Sequence, residues 1–263
     1  MRLRQVALAS RQLDAVVTAF HDVFGLKLAY NDPHIHVYGL KNAVLPAGTG
    51  FLEVVEPVRE DVSAARFLNR RGGEAGYMVI LQVADAEAER KRVVELGVRV
   101  VDDIDTPSYR CAHFHPADFG GVLVSFDQQR TSADYLEPFG DWMPAGPDWR
   151  GAGSSEVLDL ASVTISAANP SALAQRWSRL VNRPLDAADP LRLPLDHGEI
   201  RFEADETEAG ARVSAIALRM ADPEAAGRRA RAAGMDISDE GVLIGGVRFK
   251  LAGVQDQTEG QTA

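Results

Sequence analysis

The sequence predicts an α+β fold built from four tandem βαβββ modules. Four segments share one pattern, in which a short apolar stretch is followed by a polar residue at the eighth position. Each segment then continues as a helix-like stretch that ends at Gly or Asn, 19 or 20 residues after its start. Four recurrences with the same two offsets indicate an internal repeat. The segments start at Gln5, Met78, Ser162 and Ala215.

The helix boundaries follow from the residues at these offsets. An Asp or Asn side chain at a helix start accepts backbone N–H groups of the first turn, and a Pro directly after it costs no hydrogen bond. Gly and Asn tolerate the left-handed conformation that ends many helices. The predicted helix starts are Gln12, Asp85, Asn169 and Asp222, with Pro170 and Pro223 after the last two. The predicted helix ends are Gly25, Gly97, Asn182 and Gly234.

Each module closes with a strand that follows a Gly-containing turn. The four closing segments are GTGFLEVVEP, FGGVLVSFDQ, HGEIRFEAD and GGVRFKLAG. Between helix and closing strand there is room for two more strands, which the first module supplies as HIHVYGL and AVLPA. The third and fourth modules are shorter than the first two, and we expect shorter loops there.

A segment without apolar periodicity separates the second and third modules. Residues 128–156 contain several Pro and Gly residues and predict a linker between a first half, 1–127, and a second half, 157–253, with a tail at 254–263. Aromatic residues within the linker indicate that it is held against a surface. They are Tyr135, Phe139, Trp142 and Trp149.

Composition excludes several classes of function. A net charge of −10 and a pI near 5.1 argue against nucleic-acid binding, which needs a basic face. Cys111 is the one cysteine and cannot form an internal disulfide, and no apolar run reaches the ~20 residues of a membrane span. We therefore expect a cytoplasmic protein, monomeric or homodimeric, whose partner is a small molecule rather than a nucleic acid or a membrane.

The βαβββ unit, paired and then paired again, resembles the vicinal-oxygen-chelate superfamily. This superfamily includes glyoxalase I, methylmalonyl-CoA epimerase, extradiol dioxygenases and bleomycin-resistance proteins. The segment HFHPADFGGVLVSFDQ resembles the closing hairpin of the epimerases, and GLKNAVLPAGTGFLEVVEP resembles the glyoxalase-like domain subgroup. The resemblance implies that the modules pair into two cupped mixed β-sheets with helices on the outside. It also implies an active site on a concave face, which we expect in the first half.

The resemblance also implies where a metal would bind. Metal-dependent relatives offer a His on the first strand of each module and a Glu on the last. The corresponding residues here are Gln5 and Met78 for His, and Glu53 and Ser125 for Glu, so only Glu53 matches. We therefore expect no metal or other cofactor at the usual position. A divalent metal at a displaced site, formed by Glu53 and His113 with His34 or His36, remains an alternative. In the second half the matching residues are Ser162, Arg201, Ala215 and Lys250.

Two residues are the candidates for catalysis. Glu53 lies among apolar residues in FLEVVEP, where a carboxylate is either paired or has a raised pKa. It is a general base, a substrate anchor, or a structural partner of Gln5 or of an arginine. His113 is suited to proton transfer near neutral pH, and it shares one strand face with His115 if the segment is extended. The His115–Pro116 pair also fits a turn.

Further residues are expected to line the pocket and bind substrate. Arg110 could hold a substrate carboxylate with two parallel hydrogen bonds, although an arginine beside a turn is also an ordinary surface residue. The whole predicted substrate-binding set is Gln5, Asn42, Tyr77, Met78, Arg110, His115 and Ser125.

Three functions remain open on the sequence alone. The first is a glyoxalase-like lyase or isomerase that transfers protons in the first half without the usual metal. The second is a non-catalytic protein that binds or sequesters a small molecule, like the bleomycin-resistance group. The third is a metal-dependent dioxygenase or lyase that uses the displaced site. The carboxylate of Glu53 favours the first.

Overall fold

A computed structural model describes residues 1–205 and 210–254 of the chain. The first half contains strands β1 to β7 and helices α1 to α3. In chain order these are β1 (Arg2–Ala9), α1 (Leu13–Phe24), β2 (Leu40–Ala47), β3 (Gly50–Pro57), α2 (Ser63–Arg71), β4 (Ala75–Gln82), α3 (Ala86–Glu95), β5 (Val100–Asp105), β6 (Tyr109–Phe114) and β7 (Leu123–Gln129).

The second half contains seven further strands and two helices. They are β8 (Val157–Ala167), α4 (Pro170–Val181), β9 (Arg192–Pro194), β10 (Glu199–Ala204), β11 (Arg212–Met220), α5 (Pro223–Ala232), β12 (Ile237–Ser238), β13 (Gly241–Ile244) and β14 (Val247–Ala252). The predicted tail lies outside the described residues, apart from its first residue, Val254. No helix in the described ranges is long and apolar enough to cross a membrane.

The strands of each half are paired in the same way. The first half has the order β2-β3-β1-β4-β7-β6-β5, with β1 parallel to β3, β4 parallel to β7, and the central pair β1–β4 antiparallel. The second half has the order β9-β10-β8-β11-β14-β13-β12 with corresponding directions. Gln5, Met78, Ser162 and Ala215 lie on the four central strands β1, β4, β8 and β11. The predicted α+β class, with cupped mixed sheets and external helices, is confirmed.

The predicted helix boundaries are found in the structure. The side chains of Asp85, Asn169 and Asp222 each accept the backbone N–H three residues further on, at 2.9, 3.0 and 2.8 Å. The predicted end residues all have a positive φ, between 54° and 88°. The capping side chains and the Gly or Asn residues therefore determine where these helices begin and end. Because the same residue types return from module to module, the repeat can be recognised from the sequence.

Three features differ from the sequence prediction. HIHVYGL forms a 3₁₀ turn at Ile35–Tyr38 instead of a strand, because Asp32 accepts the N–H of His34 and Gly39 ends the turn with a φ of 68°. The first module therefore contains three strands. The third module also contains three strands among the described residues. Helix α2 was not predicted, and it buries Ala64, Ala65, Phe67 and Leu68 between the first two modules.

The two faces of the first-half sheet have different coverings. Helices α1 and α3 pack on the convex face, where alternate strand residues such as Leu8, Leu52 and Val79 belong to the main hydrophobic core. The large buried side chains of α2 belong instead to a separate, smaller cluster. The concave face, called the first cup below, carries a separate cluster built around Phe51, with Met78 among its members. Segment 128–156 contributes the Trp142 and Trp149 side chains to this cluster and thus covers part of the first cup.

Two arginines of β1 hold this covering segment in place. Trp142 and Trp149 are both 1% exposed. The Arg4 guanidinium lies 5.0 Å from the centre of the Phe51 ring and 5.4 Å from that of Trp142, and it donates to Pro138 O and Gly140 O. Arg2 donates to Leu136 O and Glu137 O. The segment is therefore an ordered part of the first half.

Candidate functional site

Glu53 lies in the first cup with both carboxylate oxygens hydrogen-bonded to amides. Gln5 Nε2 donates to Oε2 at 2.8 Å, and Asn42 Nδ2 donates to Oε1 at 2.7 Å. Glu53 is 8% exposed, and its two partners are almost fully buried. Burial raises the pKa of Glu53, and the two amide hydrogen bonds oppose this by stabilising the charged form. The result is a buried carboxylate whose direct partners are neutral.

Both amides are oriented by groups that can only donate. The Trp142 indole Nε1 donates to Gln5 Oε1 at 2.7 Å, and the backbone N–H of Asp32 donates to Asn42 Oδ1 at 2.8 Å. Since an indole and a backbone N–H cannot accept hydrogen bonds, each amide must turn its oxygen to them and its NH₂ to Glu53. The orientation of these two amides therefore follows from chemistry.

The four positions that hold a metal in related proteins do not fit one here. The oxygens of Glu53 each accept an amide N–H, and the Gln5 oxygen accepts the Trp142 N–H. Met78 offers a buried thioether, and the Ser125 hydroxyl donates to Asp127, with Ala112 O a second neighbour at 3.2 Å. Thioether, amide and hydroxyl groups are poor substitutes for the imidazole and carboxylate ligands of a divalent transition-metal site. Within residues 1–205 and 210–254, no three His, Cys, Asp or Glu side chains are grouped to hold a metal.

A second buried carboxylate, Asp127, lies in the first cup and was missed by sequence reasoning. It is 1% exposed and accepts hydrogen bonds from the hydroxyls of Ser125 and Tyr109. Burial, with a smaller contribution from the charge of Glu53, raises the pKa of Asp127 to about 7 against the effect of these two bonds. Strand alternation was the available signal, because Asp127 is two residues after Ser125 and shares its face.

His113 lies on β6, on the other side of the first cup from Glu53. In the sheet order β1, β4 and β7 separate its strand from β3. Its Nε2 is 3.7 Å from Cys111 Sγ, and its Nδ1 is 3.8 Å from Asp102 Oδ2. Burial lowers the pKa of His113, although its side chain is 23% exposed. Burial also raises the pKa of the Cys111 thiol. The neighbouring side chains of His113 and Cys111 are therefore a neutral imidazole and an un-ionised thiol.

Tyr77 and Met78 lie between these two groups on β4. Met78 is buried in the Phe51 cluster, and Tyr77 is half-buried with its ring against Phe67 of α2 at 5.1 Å between ring centres. Burial, followed by the charge of Glu53, raises the pKa of Tyr77. The Tyr77 hydroxyl has no hydrogen-bond partner in the described part of the chain, so it can donate to a ligand.

Four of the predicted histidine and arginine candidates do not face the first cup. The Arg110 guanidinium is directed to the α3 side, where it contacts Asp103 and donates to Glu87 at 2.8 Å. It therefore cannot clamp a substrate in the cup, because strand alternation puts its side chain on the convex face. His115 caps the turn after β6, with its Nδ1 accepting the Ala117 N–H at 3.2 Å. His34 and His36 are exposed residues at the Ile35–Tyr38 turn, where the expected strand is absent.

The corresponding face of the second half carries paired charges. Arg201 Nε lies 2.5 Å from Glu199 Oε1, and Lys250 Nζ lies 4.0 Å from Glu203 Oε2. A groove of about 630 Å³, with Lys250 among its lining residues, opens in this half between α5 and the β12–β14 hairpins and is lined by charged side chains of both signs. Neither location combines a buried carboxylate with neutral donors, so the first cup is the better candidate site.

Comparisons with known proteins agree with this fold. A family model described as a glyoxalase-like domain matches residues 6–181. The ethylmalonyl-CoA/methylmalonyl-CoA epimerase of Cereibacter sphaeroides is 28% identical over 132 residues, which are 48% of this chain and 97% of the epimerase.

Two solved structures are among those to which this chain is similar. A hypothetical protein from Staphylococcus aureus covers 96% of this chain and 99% of its own, with a TM-score of 0.68 and 14% identity, and it shares the fold. The methylmalonyl-CoA epimerase of Mycobacterium tuberculosis is 27% identical, with a TM-score of 0.44 over 49% of this chain and 87% of its own. Since the family model covers well over half of the chain, the protein belongs to the glyoxalase-like domain family of the vicinal-oxygen-chelate superfamily.

Proposed function

We propose that the first cup binds a small organic molecule and catalyses proton transfer at a carbon next to a carbonyl group, with Glu53 as the general base. The observation that carries this proposal is the surroundings of Glu53. Its carboxylate is 8% exposed and is held by two neutral amide donors, from Gln5 and Asn42.

The charge of the groups that hydrogen-bond to Glu53 determines how strong a base its carboxylate is. An arginine or lysine beside Glu53 would stabilise the carboxylate strongly and make it a weak base. Two amide N–H groups hold the carboxylate in position, while burial raises its pKa. A base with a pKa moved toward the working pH is the arrangement that proton transfer requires.

Other groups in the first cup supply complementary chemistry. Abstraction of a proton next to a carbonyl places negative charge on the carbonyl oxygen, and a neutral hydrogen-bond donor stabilises that charge. Tyr77 is suited to this role, since a tyrosine hydroxyl is protonated at neutral pH. After burial, the charge of Glu53 contributes to its raised pKa, which is consistent with a position near the base. His113 is a neutral imidazole at the other side of the cup, where it can accept or return a proton.

The reaction class that we propose is isomerase-like. An epimerase inverts one stereocentre, and at a carbon beside a carbonyl this is done by removing and returning a proton. The 28% identity to an ethylmalonyl-CoA/methylmalonyl-CoA epimerase supports proton transfer over other chemistry, and it extends over one half of this chain. The second half would then serve as a scaffold.

A binding protein without catalysis is the second candidate. It is favoured by the complete hydrogen bonding of Glu53, Gln5 and Asn42, because a network of this kind also makes a rigid polar anchor for a ligand. The two candidates differ in whether a C–H bond of the ligand is broken.

Exchange of substrate protons with solvent tests the proposal before the substrate is known. The protein is incubated in D₂O with a panel of carbonyl-activated carbon acids, including acyl thioesters, and loss of the α-proton signal is followed by ¹H NMR. Glu53→Gln should lower exchange by roughly 100-fold or more, because an amide cannot act as a base at neutral pH. Arg201→Gln, at the matching position of the second half, is the control and should exchange at the wild-type rate.

The outcomes separate the candidates. A panel compound that raises the melting temperature without exchanging would favour the binding protein. Exchange that survives Glu53→Gln, or that is lost in Arg201→Gln, would rule out Glu53 of the first cup as the base.

A further inference from the structure

Trp142 reaches Glu53 through one intermediate residue. Its indole Nε1 donates to Gln5 Oε1 at 2.7 Å, and Gln5 Nε2 donates to Glu53 Oε2 at 2.8 Å. All three side chains are less than 10% exposed. Trp142 comes from the segment between the halves, whereas Gln5 and Glu53 come from the first module.

The indole N–H determines which end of the Gln5 amide faces the carboxylate. A glutamine amide can rotate by 180° and exchange its oxygen with its NH₂ group. If the oxygen faced Glu53, it would repel the carboxylate and leave one carboxylate oxygen without its donor. The indole is a donor only, so it holds the amide in the orientation that serves Glu53.

The position of Trp142 is itself fixed from several sides. Its ring stacks on Phe51, with 6.3 Å between centres and 15° between planes, and meets the edge of Tyr109 at 6.0 Å. Arg4 holds the preceding backbone through a 3.1 Å bond to Gly140 O and lies over the ring at 5.4 Å. The indole therefore approaches Gln5 in one defined position.

We propose that Trp142 is a positioning residue for Glu53, so that the segment joining the halves completes the site of the first module. The effect of Trp142 on catalysis rests on the proposed function. The two hydrogen bonds that link Trp142 through Gln5 to Glu53, called the relay below, can be measured without a substrate. The segment thus has a role beyond joining two halves, since it determines the state of the candidate base.

The chain offers a matched control for this relay. Trp149 lies in the same segment, is equally buried and packs edge-on against Phe51 at 4.9 Å. Its Nε1 has no hydrogen-bond partner among the described residues. Replacing either Trp by Phe removes an indole N–H and some ring volume, but only Trp142→Phe removes a donor to Gln5.

The test is a pH titration of the Glu53 side chain by ¹³C NMR on protein labelled at Glu, with Glu53→Gln identifying the signal. Trp142→Phe should raise the titration midpoint by about one unit or more, a tenfold fall in the acid dissociation constant, because Gln5 can then turn away. Trp149→Phe should leave it unchanged. The titratable groups facing Glu53 are Asp32, Tyr77, Tyr109 and Asp127, and both variants retain them.

A wild-type measurement covers the case in which Trp142→Phe does not fold. The chain has three tryptophans and therefore three indole N–H resonances. The Trp142 resonance should titrate with the midpoint of Glu53 and lose that titration in Glu53→Gln, while the Trp149 resonance should not follow Glu53. An unchanged midpoint in Trp142→Phe, an equal shift in Trp149→Phe, or a Trp142 resonance that ignores Glu53 would overturn the relay. A shifted midpoint without any proton exchange would uphold the relay and reject the proposed enzyme.

Discussion

Gly76 of β4 and Val213 of β11 form the single residue pair through which β4 and β11 are joined in the sheet, as far as the described residues extend. A Cβ atom on Gly76 would lie 2.5 Å from Val213 Cβ and 2.7 Å from its Cγ1. At this point of the sheet, the backbones of the two halves can approach closely because Gly76 has no side chain.

Gly76→Ala should consequently destabilise the protein. The added methyl has to displace Val213 or its strand, and overpacking of this kind costs about 1–3 kcal/mol. Urea unfolding measures the loss. Gly73→Ala is the matched control, since nothing lies within 4 Å of its Cβ position and its φ is ordinary. A Gly76→Ala variant as stable as wild type would contradict the packing argument.

A second prediction concerns Arg4 and the segment that covers the first cup. Arg4→Met keeps an apolar stem but removes the guanidinium that bonds to Pro138 O and Gly140 O and faces the rings of Phe51 and Trp142. Hydrogen bonds from a charged group contribute about 1.5–3 kcal/mol, so the free energy of unfolding should fall by about 2 kcal/mol or more. The tryptophan fluorescence should shift to longer wavelength as the buried indoles meet water.

Arg66→Met is the control for this experiment. The exposed Arg66 guanidinium donates to Asp61 O and to the Ser63 hydroxyl at the start of α2, away from the covering segment. It should leave the emission maximum in place. Equal emission spectra for Arg4→Met and wild type would mean that Arg4 does not hold the segment.

The repeat was predictable because its signals are local. Asp85, Asn169 and Asp222 act as helix caps in the structure, and Asn182 has the positive φ of 54° that its place after a helix requires. Each of these signals depends on a few neighbouring residues. They could be read from the sequence because each module repeats them.

The site was less predictable because it depends on distant contacts. Gln5 and Trp142 are 137 positions apart, and no local pattern links an indole in a Pro-rich segment to an amide on the first strand. Asp127 was not predicted because the family resemblance assigns the ligand position to Ser125, two residues earlier on the same face. Helix α2 was missed because it falls between two modules and therefore does not recur with the repeat.

A third prediction concerns metal content. The protein after gel filtration should retain less than about 0.1 equivalent of nickel, zinc or iron, because amide, thioether and hydroxyl groups replace the expected ligands. Inductively coupled plasma mass spectrometry gives the measurement. The triple variant Gln5→His, Met78→His, Ser125→Glu supplies the missing ligand types. It is the positive control and should retain more metal than the wild-type protein. Close to one equivalent in the wild-type protein would show that a displaced site exists.

The last prediction uses the raised pKa of Asp127. The native value of about 7 exceeds the value of about 3.9 for an unfolded aspartate. Below pH 4 the group is protonated in both states and its contribution to stability is fully present. Between about pH 4 and 7 only the unfolded chain loses this proton, so the contribution falls with rising pH, by at most about 1.4 kcal/mol per pH unit. Above pH 7 both states are ionised, and the loss levels off at about 4 kcal/mol.

Asp127→Asn removes the ionisation while keeping the shape of the side chain, so it should gain stability relative to wild type as the pH rises from 4 to 7. Urea unfolding of both proteins at several pH values measures the difference, in which other groups cancel. Asp118→Asn is the control, because hydrogen bonds from Arg99 lower the pKa of Asp118 to about 2. That carboxylate is ionised in both states between pH 5 and 8, so its difference should be constant there. A constant difference for Asp127→Asn over the same range would mean that Asp127 is ionised in the native first cup, and the raised pKa of Asp127 would be wrong.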